Sequence, residues 1–215
     1  SIVVLAASDA GYARLVEIIS RAYLGGESGQ AIRIAHSWLE EGGTEGLIAL
    51  TGARGGPVDM AYLAGQPAAA KARLDALKRV FGDRLYIELQ RHGRYDRQHE
   101  RRMVELAYAE DVPLVATNEP FFPSPDDYDA HDALMAVAHN AMVSDDNRFR
   151  LSPDHYLKSR KDMAKLFADL PEALENTVEI ARRCSFVLKT RGPILPRFTG
   201  ATDDAEEAER AEAAE

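Results

Sequence analysis

Four short apolar runs, each set off by a helical pattern, constrain the fold of this chain more than any other feature. Ile2 to Ala6, Leu47 to Leu50, Leu85 to Leu89 and Leu114 to Thr117 are predominantly apolar stretches, the signature of strands buried on both faces. Between them apolar residues recur at helical spacing. Tyr12, Leu15, Val16, Ile19 and Tyr23 mark one helix, with Asp9 as its cap. Ala70, Leu74, Leu77 and Val80 mark a second over Pro67 to Phe81, and further helices are expected over Asp96 to Asp111 and Asp126 to Met142. Strands alternating with helices predict an α/β fold with parallel strands and helical crossovers, its sheet either open or closed into a barrel. His36 to Glu40 reads as a short helix capped by Ser37, with Trp38 packed inward. From Ser152 the pattern becomes helical, with caps at Ser152 or Asp154 and near Asp169 to Pro171; RGPILPRF, with Pro193 and Pro196, ends the compact part.

The totals exclude several classes. The formal charge of −9 is uneven, because Asp203 to Glu215 holds seven acids against Arg210. The remaining body is close to neutral and offers no basic face for general nucleic-acid binding. A single cysteine, Cys184, excludes an internal disulfide framework and a cysteine-rich zinc site. No apolar run is long enough for a membrane span and no export signal opens the chain, so a soluble, cytoplasmic protein is expected. The chain starts directly with an apolar strand and stops inside the helix-forming run DDAEEAERAEAAE. Both ends read as cuts in a larger protein.

Parallel strands would bring three strand endings to one face, where sites collect in α/β folds. These endings are Thr51-Gly52-Ala53-Arg54-Gly55-Gly56, Gln90-Arg91-His92-Gly93 and Asn118-Glu119. His92 and Glu119 are suited to a divalent metal, yet two donors alone hold an ion poorly. A loop hydrogen bond for His92 and a cap or salt bridge for Glu119 are the ordinary roles of such residues. TGARGG lacks the Lys-Ser/Thr ending of a phosphate loop and reads as a turn. The basic run Arg91 to Arg102 could touch phosphates or a partner through Arg91, Arg94, Arg97 and Arg101, although Asp96 and Glu100 dilute it. Asp132 and His131, early on a helix, read as structural; His36, His99, His139 and His155 have no partner identifiable from spacing. Cys184, beside Arg182 and Arg183, reads as a buried helix-end residue.

Five ordered motifs carry a resemblance: LYIELQRHGR, VPLVATNEPFF, DDYDAHDALMAV, SPDHYLKSRKDMAKLFADLPEALENTVEIARRC and ILPRF. In that order they resemble the amino-terminal region of the bacterial replicative DNA polymerase III alpha subunits, a C-family of polymerases. SIVVLAASDAGYARL resembles a strand and helix of the family's PHP (polymerase and histidinol phosphatase) domain. The resemblance implies a partial, distorted (β/α)7 barrel lacking its first strands, followed by a helical segment. Residues 1–150 would be the carboxyl-terminal part of that barrel, 151–198 its helical end and connection, and 199–215 the start of the polymerase core.

In the family, active PHP domains hold up to three metal ions at the strand ends. His92 matches one ligand position, and Glu119 stands where the family has Asp. Ala53 replaces a cysteine and Phe121 replaces a histidine. The resemblance therefore implies a decayed site that binds no metal, with Phe121 filling apolar space, and no catalytic residue in this chain. The polymerase Mg ions would sit in a palm outside it. Implied partners are the other holoenzyme subunits, above all the proofreading exonuclease subunit, with DNA held by the parent polymerase. The competing reading is a metal-dependent phosphoesterase or intrinsic 3′–5′ proofreading exonuclease using His92 and Glu119.

Overall fold

The computed structural model describes residues 1–25, 31–93, 96–190 and 192. Strand β1 (Val3–Ala6) leads into helix α1 (Asp9–Leu24), and α2 (His36–Gly42) precedes β2 (Leu47–Leu50). Helices α3 (Pro57–Leu63) and α4 (Pro67–Phe81) connect to β3 (Leu85–Gln90). Then α5 (Arg97–Ala109), β4 (Leu114–Thr117) and α6 (Tyr128–Ala138) follow, and α7 (Arg160–Leu166) and α8 (Pro171–Arg183) complete the described elements.

The four strands form one sheet in the order β1-β2-β3-β4. β2, β3 and β4 run parallel, as their apolar runs predict. β1 does not: it pairs antiparallel to β2, with Ala6 opposite Leu47. A single crossover helix carries the chain back to the end where its strand began and gives a parallel neighbour, whereas the connection through α1 and α2 returns to the end where β1 finishes. Ala7 N–H donates to Gly46 O at 2.7 Å, closing that junction. The backbones meet so tightly there that a Cβ on Gly11 would lie 1.8 Å from Gly46 O. Among the described residues the strands make one four-stranded sheet within a mixed α/β fold.

Both faces of the sheet are covered. Leu47, Ala49, Leu85, Ile87, Leu114 and Ala116 pack with α3, α4 and α5, where Leu74, Phe81 and Met103 are buried. Phe167, just past α7, joins the same core, so the helical segment after residue 150 packs as part of it. On the other face Ile48, Leu50, Tyr86 and Val115 meet Ile180 of α8.

Several local expectations are corrected. Ser8, not Asp9, caps α1, accepting from Gly11 N–H. α1 buries Gly11, Ile18 and Ala22, while Tyr12, Val16, Ile19 and Tyr23 stay exposed. Two apolar stripes compete on this helix, and the close approach at Gly11 selects the first. α2 starts after Ala35 without a side-chain cap, so Ser37 does not serve, and Trp38 is only half-buried beneath Arg21. α3 is unforeseen, although Pro57 at its first position is a recognised start signal. α6 stops at Ala138, short of Met142. α7 is capped by Ser159 in a reciprocal box with Asp162, not by Ser152 or Asp154. Pro193, Pro196 and the acidic run from Asp203 lie outside the described residues.

Arg91, expected on an exposed contact surface, is instead 8% exposed. Its guanidinium donates to both Glu100 oxygens at 2.9 and 2.6 Å, to both Asp169 oxygens at 2.6 and 2.8 Å, and to Leu166 O at 2.6 Å. It also lies 4.4 Å over the Phe167 ring. These contacts hold Asp169 below the usual carboxylate range, the hydrogen bond from Arg91 being the main cause. Removing Arg91 takes two charge-assisted hydrogen bonds from Glu100, whose side chain is only 12% exposed. Arg91→Ala is expected to cost about 3–5 kcal/mol in urea unfolding. Arg97→Ala, at the exposed start of α5, should stay within about 0.5 kcal/mol; equal losses would remove the distinction.

Candidate metal centre

The carboxyl ends of β3 and β4 are organised by a buried carboxylate. Glu88 is 4% exposed, inside a strand whose other residues are largely apolar. Its oxygens accept from Gly52 N–H at 3.1 Å, Thr117 Oγ1 at 2.5 Å and Gln90 Nε2 at 3.1 Å. Its own N–H donates to Thr51 Oγ1 at 3.1 Å. Such a fully bonded carboxylate tolerates burial, which an unpaired one would not. Gln90 Nε2 also donates to Thr117 Oγ1, so its carbonyl oxygen turns toward His92 Nε2, 3.2 Å away.

His92 and Glu119 come together as expected, with Nε2 and Oε2 3.8 Å apart. The unexpected member is His155, buried at 6% exposure, whose ring centroid lies 4.0 Å from that of His92. Ligand atoms of His92, Glu119 and His155 all lie within 4.8 Å of one another. A short parallel bridge, Phe122 to Tyr156, docks the segment bearing His155 along the loop after β4. Phe121 N–H donates to His155 O at 2.9 Å and Leu157 N–H to Phe122 O at 3.0 Å. Asn118 Nδ2 adds a bond to Tyr156 O at 2.7 Å. His155 Nδ1 faces Ser152, at 3.0 Å from its Oγ and 3.1 Å from its carbonyl oxygen. That turn explains why Ser152 caps no helix.

The other anticipated positions fall as follows. Ala53 is buried with φ of 42° and offers no donor atom. Phe121 does not fill an interior: it is 48% exposed, with its ring 5.9 Å from both His131 and His155, while Phe122 is the buried aromatic. Arg94 lies outside the described residues; Arg97 is exposed, and Arg101 pairs with Glu105 one turn on. Asp132 is held by Arg148, a structural role as expected. Cys184 ends α8 half-buried, and burial pushes its thiol pKa up.

A second buried pair escaped sequence reasoning. His99 Nε2 meets Asp59 Oδ1 at 2.7 Å, pinning α5 to α3. Asp59 Oδ2 has no hydrogen-bond partner among the described residues and adjoins a small cavity of about 50 Å³ that Ala53 and His92 also line. A bound water would satisfy that oxygen.

The donor set suits one ion rather than several. Two imidazoles and a carboxylate are the three protein ligands of a typical open zinc site. Ala53 and Phe121 contribute nothing to a second ion. Burial above all, then the neighbouring His155 and Lys158, lower the His92 pKa to about 4 against a weaker opposing pull from Asp154. The imidazole is thus neutral at neutral pH with a lone pair available. Since the folded state disfavours protonated His92, the unfolded chain binds more protons between about pH 6.5 and 4, and stability falls as pH drops through that window. Replacing His92 with Gln should flatten that slope in urea titrations at pH 7 and pH 4.5. An imidazole that titrates by NMR near 6.5 would refute the assigned environment.

Comparison with known proteins agrees with the motifs. The PHP domain family matches residues 1–92. The DNA polymerase III subunit alpha of Caulobacter vibrioides is 48% identical over 216 residues, 99% of this chain and 18% of that protein. Those of Pseudomonas aeruginosa and Escherichia coli strain K12 are 42% and 41% identical, over 90% and 91% of this chain and 17% of each relative. The chain therefore spans less than a fifth of these curated relatives, and it is homologous to a stretch of the DNA polymerase III alpha subunits that includes PHP domain sequence.

Proposed function

We propose that this chain serves a bacterial replicative DNA polymerase as a non-hydrolytic PHP region, giving architecture and a docking surface for other subunits. The supporting observation is the donor set at the strand ends. His92 and Glu119 face each other, but Ala53 has no ligand atom and Phe121 is a half-exposed phenyl ring. A multi-ion phosphoesterase centre needs metal ions placed to stabilise both attacking and leaving oxygens. DNA synthesis belongs to metal-binding carboxylates of a palm outside this chain, in a cytoplasmic holoenzyme whose Mg ions sit there. The apolar stripe of Tyr12, Val16, Ile19 and Tyr23 on α1 adds support for docking, because it stays exposed among the described residues. The proofreading exonuclease subunit is the first partner to test.

Two measurements examine this reading. The parent polymerase and its His92→Ala variant should release phosphate from model phosphoesters, and degrade a 3′ end, at the same background rate with added Mn or Zn. Metal-stimulated turnover that disappears in the variant would establish the competing phosphoesterase or proofreading reading. The isolated chain should extend no primer, and a change of Tyr12 and Ile19 to Ser should weaken capture of the exonuclease subunit by about 10-fold or more, in the range of interface anchors. Unchanged capture would move the docking surface elsewhere.

A further inference from the structure

We infer that His155 completes, with His92 and Glu119, a binding site for one divalent transition-metal ion, zinc by its donor set, joining three separate segments at the carboxyl end of the sheet. This goes beyond the architectural reading and reverses the expectation that no metal is held. His92 and Glu119 stand at positions where the resemblance places ligands, whereas His155 comes from a turn to which it assigns none. It lies against Phe121, ring centroids 5.9 Å apart, beside the position that has no imidazole of its own.

Geometry carries the inference. Tetrahedral zinc with bonds of about 2.0–2.1 Å sets its donors about 3.3 Å apart. His92 Nε2 and Glu119 Oε2 are already at 3.8 Å, and the whole set lies within 4.8 Å. The remaining closure falls to Glu119, whose side chain is 53% exposed on a loop, while both imidazoles are held in place. His155 Nδ1 is turned to Ser152, whose backbone N–H, hydroxyl and carbonyl oxygen lie 3.2, 3.0 and 3.1 Å away, which leaves Nε2 for the ion; an ion there selects the tautomer whose Nδ1–H donates to the carbonyl, as in a ligating imidazole. His92 Nε2 faces Gln90 Oε1, itself fixed because Gln90 Nε2 is bonded to Glu88 and Thr117. Metal at Nε2 moves the ring proton to Nδ1 with no net proton released, and Gln90 Oε1 becomes a neighbouring oxygen donor. Lys158 is the opposing charge, but its ammonium is engaged by Asn118 Oδ1 and the Asp154 carbonyl. Two nitrogens and a carboxylate favour zinc over magnesium or calcium, which prefer all-oxygen sites.

The test uses the full-length parent chain, stripped with chelator and titrated with zinc chloride alone against a chromophoric competitor. His155→Ala and His92→Ala should each weaken one zinc equivalent by at least about 100-fold, beyond the usual effect of losing a supporting partner. His139→Ala, an exposed histidine outside the cluster, should leave it unchanged. Equal affinity in wild type and a folded His155→Ala overturns the site. Because His155 is buried and its variant could unfold, zinc-edge anomalous diffraction from the unaltered chain gives an independent answer. A peak among His92, Glu119 and His155 supports the site, and zinc elsewhere or nowhere overturns it. A peak accompanied by zinc-dependent phosphate release supports the site while refuting the non-hydrolytic reading, so the two fail separately.

Discussion

The guanidinium of Arg91 is the point on which this arrangement depends. It stands directly beyond β3 and meets Glu100 of α5 on one side and, from a distant part of the chain, the Leu166 carbonyl and Asp169. A buried ion pair of this kind adds little net stability, because desolvating the charges offsets most of their attraction. Its contribution is positional. The planar fork accepts only one arrangement of two carboxylates and a carbonyl, so it fixes where α5 starts and where the α7 to α8 turn lies relative to the sheet. His92 is the next residue, and its environment inherits that placement.

The second constraint is Glu88. A carboxylate in a buried strand survives only when its lone pairs are occupied, and here one oxygen reaches the loop after β2 while the other meets Thr117 at the end of β4. Three strand ends are thereby tied together by one side chain. Gln90 carries the order outward, holding its carbonyl oxygen toward His92. This sequence of contacts explains how the strand-end face stays organised although Ala53 and Phe121 bring no ligands to it.

How much of this was legible in the residues follows from the range of each interaction. β2 and β4 match their apolar runs to the residue, and Pro67 to Phe81 is the observed α4, because local burial and helix chemistry decide such elements. The direction of β1 was not legible, since the hydrogen bonds that set it join Ala7 to Gly46. The exposed stripe of α1 was misassigned for the same reason: two faces were apolar, and only the backbone contact at Gly11 distinguishes them. At the site, His92 and Glu119 follow strands and could be placed by topology. His155 could not, because a turn held by Ser152 and an isolated bridge to the loop after β4 bring it in. Glu88 did carry a signal, a lone charge within LYIELQ, that its neighbours in sequence do not explain.

Arg91 also shows why a basic run is a poor guide to a binding surface. Arg91 and Arg97 are close in sequence and identical in chemistry, yet one is buried against two carboxylates and the other is solvated. The difference arises from the strand: a residue just past β3 points back into the packed end of the sheet, whereas α5 turns its first residues to water. Charge density read along the chain averages over these environments. Burial separates them, so a docking surface on this chain is better sought in the exposed apolar face of α1 than in its arginines.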